Sequence, residues 1–134
     1  MTPFPYSIEG SEPIARAKAM MEEHGIRHLP VTEDRELVGV LSDRDIRVAR
    51  RVGGQANDAV ELDVASVCSR PPYVVELSAA LDDVVLEMAE RGIGSAVVVR
   101  QGKLAGILTT TDVCRVLAEV LREIAPPPGD DDVA

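Results

Sequence analysis

The sequence predicts an α+β fold in which one βαββα unit is used twice and the two copies pack with pseudo-two-fold symmetry. Three observations predict it. Residues 2–46 recur without a gap as residues 69–113, an offset of 67 positions at which 13 of 45 pairs are identical. Such self-similarity fixes the folding unit before any other feature does. Within each copy the apolar spacing switches between strand-like and helix-like periods. Glycines punctuate both copies at matching places, Gly25 with Gly92 and Gly39 with Gly106.

Each copy opens on a short entry strand, Pro5-Tyr6-Ser7-Ile8 and Pro72-Tyr73-Val74-Val75. Ser11 and Ser78 follow where helix N-caps are expected, with hydroxyls able to accept from a free backbone N–H. Ile14, Ala17 and Met21, then Leu81, Val84, Val85 and Met88, recur at helical spacing. Gly25 and Gly92 then end the helices at the left-handed position that glycine occupies without strain, and Ile26 and Ile93 supply the closing apolar contact. Residues 29–32 and 96–100 read as the next strands, joined by polar turns to residues 37–41 and 104–108. Those last strands are nearly all apolar, which suits burial on both faces. A final helix is expected from near Ser42 and near Thr109. The first unit thus spans 1–52 and the second 67–124. Residues 53–66 form a linker led by Gly53-Gly54-Gln55-Ala56-Asn57-Asp58, and residues 125–134 form an acidic, solvated tail expected to be disordered.

Composition narrows the function. A chain of 134 residues with 46% hydrophobic content is one domain with a filled core, and that core is aliphatic because Phe4, Tyr6 and Tyr73 are the only aromatics. The net charge of −9 argues against nucleic acid, which demands clustered cations to neutralise phosphates. Yet Arg44, Arg47, Arg50 and Arg51 fall within eight residues, a local basic stripe able to hold a small anion. No apolar run approaches the roughly 18 residues that span a bilayer, so no membrane insertion is expected. Two cysteines, Cys68 and Cys114, and no secretory segment give an expectation of a reducing, cytoplasmic setting.

The chemistry concentrates where the last strand of each unit meets its last helix. Gly39-Val40-Leu41-Ser42-Asp43-Arg44-Asp45 is matched by Gly106-Ile107-Leu108-Thr109-Thr110-Thr111-Asp112. The glycine would let a flat ring approach the backbone. The hydroxyl and the free N–H groups of a helix start favour phosphate. The carboxylate can accept from a vicinal diol. Together these suit a ribonucleotide. The same Ser/Thr-x-x-Asp spacing is also a capping box, found at helix starts that bind nothing. Two features favour the ligand: the acid is Asp both times although Glu reaches back better, and the same glycine precedes both.

These segments, with His28-Leu29-Pro30-Val31 before them, resemble the CBS motifs named for cystathionine β-synthase. The resemblance covers residues 1–121, and the chain is similar to small stand-alone CBS pairs. It implies two tandem motifs in one Bateman module, with two clefts for adenosine derivatives. In that family the motif aspartate holds the ribose hydroxyls, a role that would fall on Asp45 and Asp112. The Ser/Thr three residues earlier faces phosphate, hence Ser42 and Thr109, and the residue before the aspartate, Arg44 or Thr111, reaches phosphate too. Tyr6 and Tyr73 on the entry strands, Arg27-His28 and Gly94-Ser95, with Val40 and Ile107, would line the base pockets. The resemblance leaves open which cleft uses which entry strand. It implies an adenine nucleotide (AMP, ADP or ATP) as a regulatory ligand, no catalytic cofactor, and a homodimer. A ligand-free dimerisation scaffold is the alternative.

Other residues carry weaker signals. His24 and His28 are four apart, but Gly25 breaks the helix between them, so no metal site is expected. Cys68 stands where relatives carry Met, and with Cys114 it reads as packing, as do Met20, Met21 and Met88. Asp82 and Asp83 suit the first turn of a helix. No nucleophile, base and oxyanion set can be assembled, so no enzyme activity is expected.

Overall fold

A computed structural model of the chain describes residues 2–3, 6–52 and 62–125; Pro5, the glycine linker and residues 126–134 lie outside them. The first repeat contributes β1 (Thr2–Pro3), β2 (Ile8–Glu9), α1 (Ile14–His24), β3 (His28–Glu33), β4 (Glu36–Ser42) and α2 (Asp43–Val52). After the short α3 (Val64–Val67), the second contributes β5 (Val74–Glu76), α4 (Leu81–Arg91), β6 (Ser95–Arg100), β7 (Lys103–Thr109) and α5 (Thr110–Ile124). The α+β fold of two βαββα units is therefore the observed one.

Each repeat builds the same sheet. Its entry strand lies parallel to the next strand, Ile8 opposite Val31 and Val75 opposite Val98. A tight antiparallel hairpin follows, with Val31 opposite Gly39 and Val98 opposite Gly106, and both copies shift register just beyond that pair. The hairpin turns force positive φ at Asp34 (51°), Arg35 (68°), Gln101 (52°) and Gly102 (77°). The helices end as their glycines require. Gly25 and Gly92 are left-handed at φ 64° and 66°. The next N–H closes the motif, Ile26 to the Met21 carbonyl at 2.9 Å and Ile93 to that of Met88 at 3.0 Å.

What joins the repeats is a reciprocal strand crossing. β1 pairs antiparallel with β7 of the other repeat, Thr2 opposite Ile107 and Pro3 opposite Gly106, giving the sheet order β1-β7-β6-β5. At the equivalent place in the first repeat, Ser69 bridges Val40, with N–H···O bonds of 2.9 and 3.1 Å in the two directions. Both crossings obey the 67-residue offset, so the pseudo-symmetry extends to the contacts between repeats.

Three apolar clusters follow from this layout. Ile14, Ala17, Met21, Leu29, Val31, Leu41 and Ile46 fill the first repeat, and Val84, Met88, Ala96, Val98 and Leu108 fill the second. Between the sheets lie Val40, Val97 and Ile107. The apolar strands β4 and β7 thus serve two cores at once, Leu41 and Leu108 facing their own helices while Val40 and Ile107 face the other sheet. Full burial of one such side chain is worth about 1.5–3 kcal/mol.

Three local expectations are corrected. Ser11 and Ser78 do not cap: α1 and α4 start later, behind Pro13 and Ala80, and neither has a side-chain cap bond. Pro13 has no N–H to satisfy and a pre-set φ, while the Ile14 N–H is taken by the Leu62 carbonyl at 3.0 Å. The entry strands begin later than read, at Ile8 and Val74, beyond the tyrosines. Residues 62–66, expected as linker, pack on the first repeat: Val64 is fully buried in its core, and its N–H bonds the Glu12 carbonyl at 2.8 Å.

Candidate functional site

The crossings place the loop before each entry strand against the last strand of the other repeat, and a cleft opens beside each. The smaller, of about 340 Å³, combines Tyr6 and residues 25–28 of the first repeat with Ile107, Thr109, Thr111, Asp112 and Arg115 of the second. The larger, of about 570 Å³, combines Val40 and the start of α2 with residues 71–73 and 91–95 of the second repeat. Arg27, His28 and Thr111 line both. The pairing that sequence left open is now fixed: each motif aspartate faces the entry segment of the other repeat. All fourteen residues singled out from sequence line one cleft or both.

At the floor of each cleft the Ser/Thr-x-x-Asp segment forms a capping box. The Ser42 N–H donates to Asp45 Oδ2 at 2.9 Å, and the Asp45 N–H donates to Ser42 Oγ at 3.0 Å. In the second repeat the Thr109 N–H donates to Asp112 Oδ2 at 2.9 Å, and the Asp112 N–H reaches Thr109 Oγ1 at 3.3 Å. Capping and ligand binding are not exclusive here. Among the described residues the second oxygen of Asp45, Oδ1, has no donor, and the carboxylate sits at the cleft wall with its backbone already fixed.

Gly39 needs a different explanation from the ring approach expected of it. A Cβ at Gly39 would meet the Ser69 carbonyl oxygen at 2.6 Å and Cys68 Sγ at 2.9 Å. The glycine admits the crossing strand of the second repeat, not a ligand, and Cys68 packs at that crossing.

The electrostatics of the two clefts differ. Lys18 Nζ donates to Asp43 Oδ1 at 2.7 Å, and this bond holds the Asp43 carboxyl below its ordinary pKa. The Asp43 N–H also bonds the Arg27 carbonyl at 2.9 Å, so one residue pins the start of α2 to the loop that lines both clefts. Thr110 does the same in the second repeat by bonding the Gly94 carbonyl at 3.0 Å. Burial pushes the His28 imidazole below its ordinary value; Asp45 and Asp112 oppose the shift, and Arg27 adds to it. A single histidine therefore feels the carboxylates of both clefts, where the second repeat carries Ser95.

The two tyrosines occupy equivalent stacks. Tyr6 lies against the His24 ring at 3.6 Å between centroids and 9° between planes. Tyr73 lies beneath the Arg91 guanidinium at 4.6 Å. His24 and Arg91 are equivalent positions, each the last residue before a helix-ending glycine. His24 and His28 are separated by the left-handed Gly25. Among the described residues no group of three or more His, Cys, Asp or Glu side chains is placed to hold a metal ion.

Sequence reasoning overlooked Arg91 and treated Arg47 only as part of a basic stripe, yet both line the larger cleft, as Arg115 lines the smaller. Arg91 left no signal in the sequence, because nothing there says which entry strand meets which helix end.

A family model described as the CBS domain matches residues 1–51 and 64–119. The Hypoxic response protein 1 of Mycobacterium tuberculosis is 29% identical over 109 residues, covering 81% of this chain and 75% of its own length. A structure described as an acetoin utilization protein from Vibrio cholerae matches with a TM-score of 0.73 at 28% identity, over 95% of this chain and 94% of that one. A CBS domain pair solved in complex with 5-methylthioadenosine and S-adenosyl-L-methionine matches at a TM-score of 0.74 over 87% and 90% of the two chains, at 23% identity, a likeness of fold. With both repeats matched by the same model and interlocked by reciprocal strand crossings, the chain belongs to the CBS domain family as a tandem pair.

Proposed function

We propose that the chain is a regulatory module that senses an adenine nucleotide (AMP, ADP or ATP) in the clefts between its repeats. One observation carries the reading: each cleft draws its carboxylate and helix start from one repeat and its entry segment from the other. A ligand there touches both repeats, so its binding energy depends on their relative orientation, and occupancy shifts that orientation. Asp45 and Asp112 would accept from the ribose hydroxyls, Asp45 through the oxygen its cap leaves over. Ser42 and Thr109 would face the phosphates, with Arg44 and Thr111 beside them. Val40 and Ile107 would supply apolar surface to the base. The fold neighbour solved with two adenosyl ligands supports this ligand class. Catalysis is not part of the reading, because CBS pairs are typically regulatory modules.

The output would pass through self-association or an effector protein, in a cytoplasmic setting. α5 favours self-association: Val116 (42%), Leu117 (53%), Val120 (42%), Leu121 (53%) and Ile124 (75%) are exposed along it. Spaced three and four apart, they form one stripe. The same stripe favours the second reading, a dimerisation scaffold with empty clefts. Thermal unfolding with a panel of nucleotides separates the two. A ligand at a hundred times its dissociation constant stabilises by about 2.7 kcal/mol, so adenine nucleotides should raise the midpoint by several degrees and guanine or pyrimidine nucleotides much less. No response to any adenosyl compound would leave the scaffold.

A further inference from the structure

The two clefts are equivalent by repeat but not by charge. Arg44 and Arg47 on α2 and Arg91 at the end of α4 line the larger cleft. Their equivalents at the 67-residue offset are Thr111, Cys114 and His24, so none of these three cations is reproduced at the smaller cleft. That cleft has Arg115 in exchange, where the first repeat has Val48. Arg27 serves both. The larger cleft is also the roomier, at about 570 Å³ against 340 Å³.

These arginines are available to an anion. Among the described residues Arg44 has no ion pair. Arg47 Nε lies 3.5 Å from Asp43, but Asp43 is already held by Lys18 at 2.7 Å. Arg91 pairs with Glu87 at 2.8 Å across one helical turn, with both side chains well exposed at 50% and 39%. Exposed pairs of this kind contribute little, so Glu87 yields to a phosphate that meets the guanidinium. The Tyr73 ring under Arg91 fixes its guanidinium at the cleft edge, whereas the residue equivalent to Arg91, His24, stacks on Tyr6 and does not line the smaller cleft.

From this asymmetry, and resting on the adenosyl reading above, we propose that the two clefts sort their ligands by phosphate charge. The larger takes a nucleoside di- or triphosphate, with Arg47 and Arg91 as its specificity-determining residues. The smaller takes an adenosyl ligand of little net negative charge. Arg27 sharpens the division, because a polyphosphate that engages it leaves the smaller cleft with Arg115 as its other cation.

Calorimetric titration of the full chain with adenosine, AMP, ADP and ATP tests this. The wild type should bind one ATP tightly and a second at least about tenfold more weakly, a gap of about 1.4 kcal/mol. Arg47→Gln and Arg91→Gln should each weaken the tight ATP site about tenfold while moving adenosine affinity less than about twofold. Arg91→Lys should keep most of the ATP preference. Two equal ATP sites would overturn the sorting, as would arginine variants that lose adenosine and ATP alike. Failure of every adenosyl compound to bind would instead overturn the nucleotide reading beneath it.

Discussion

Replacing Gly39 by alanine tests how the two repeats are held together. The new methyl would sit 2.6 Å from the Ser69 carbonyl oxygen and 2.9 Å from Cys68 Sγ. The sulfur can move with its side chain, but the oxygen cannot yield cheaply. Ser69 is tied to Val40 by two backbone bonds of 2.9 and 3.1 Å, and Gly39 itself is held in register opposite Val31. Overpacking of this kind costs about 1–3 kcal/mol. A 2.6 Å approach to a backbone oxygen falls in the upper half of that range, and alanine recovers about 0.4–1 kcal/mol through the unfolded chain, so the net loss should be about 1–2 kcal/mol. For a domain of this size that lowers the melting temperature by roughly 3–10 °C. Gly25→Ala is the control for strain without a clash: nothing lies within 4 Å of its added Cβ, and φ of 64° alone penalises it. That left-handed penalty is about 1–2 kcal/mol.

The two glycine variants differ in what else they damage. The Ser69 crossing leads into Pro71, Pro72 and Tyr73, which line the larger cleft. Gly39→Ala should therefore lose stability and ligand affinity at that cleft together. Cys68→Ala in the Gly39→Ala background should restore part of the stability, since it relieves the sulfur contact and leaves the oxygen contact. Urea unfolding with and without ATP reads both quantities. Wild-type stability in Gly39→Ala would refute the crossing as the reason for the glycine. So would a full rescue by Cys68→Ala.

Two further predictions follow from the described contacts. Burial lowers the His28 pKa in the folded state, so the unfolded chain binds more protons and this stability term is lost as pH falls below about 6.5; His28→Ser, the residue of the second repeat, should flatten the pH dependence of urea midpoints on the acid side, and an unchanged slope would contradict it. Leu117 and Leu121, each 53% exposed on α5, should lie within a self-association surface; Leu121→Asp should weaken dimerisation by at least about tenfold, or 1.4 kcal/mol, in sedimentation over a wide concentration range, and a wild type that stays monomeric at tens of micromolar would remove the surface.

Much of the fold was legible because the repeat appears in the sequence itself. Glycines at 25 and 92 ended helices as their conformational freedom dictates, and the apolar strands 37–41 and 104–108 fell between two cores. The Ser/Thr-x-x-Asp segments form capping boxes at both cleft floors. What failed were inferences needing a partner that sequence does not name. Ser11 and Ser78 look like caps, but the Ile14 N–H finds the Leu62 carbonyl, 48 residues away. Gly39 looks like ligand room, but a backbone crossing from the other repeat fills it. The crossing has no side-chain signature, since its bonds are main-chain, and so Arg91 could not be assigned to the cleft of Asp45. The side chains that distinguish the clefts are those where the repeats differ, and a search for shared residues passes over them.

The central claim is that Asp45 and Asp112 bind ribose in addition to capping their helices, and conservative substitution measures it most directly. Asn keeps an oxygen that can accept the Ser42 or Thr109 N–H, so the cap persists, but it loses the charge and an acceptor that a diol needs. Titration of AMP and ATP into Asp45→Asn and Asp112→Asn, with urea unfolding of the same ligand-free proteins, gives two numbers for each variant. The account predicts affinity at the altered cleft reduced about tenfold or more, a change of at least about 1.4 kcal/mol, with ligand-free stability close to that of the wild type. Loss of stability of about 0.5–2 kcal/mol, the range for a lost cap, with nucleotide affinity unchanged would show that both carboxylates serve the helices alone.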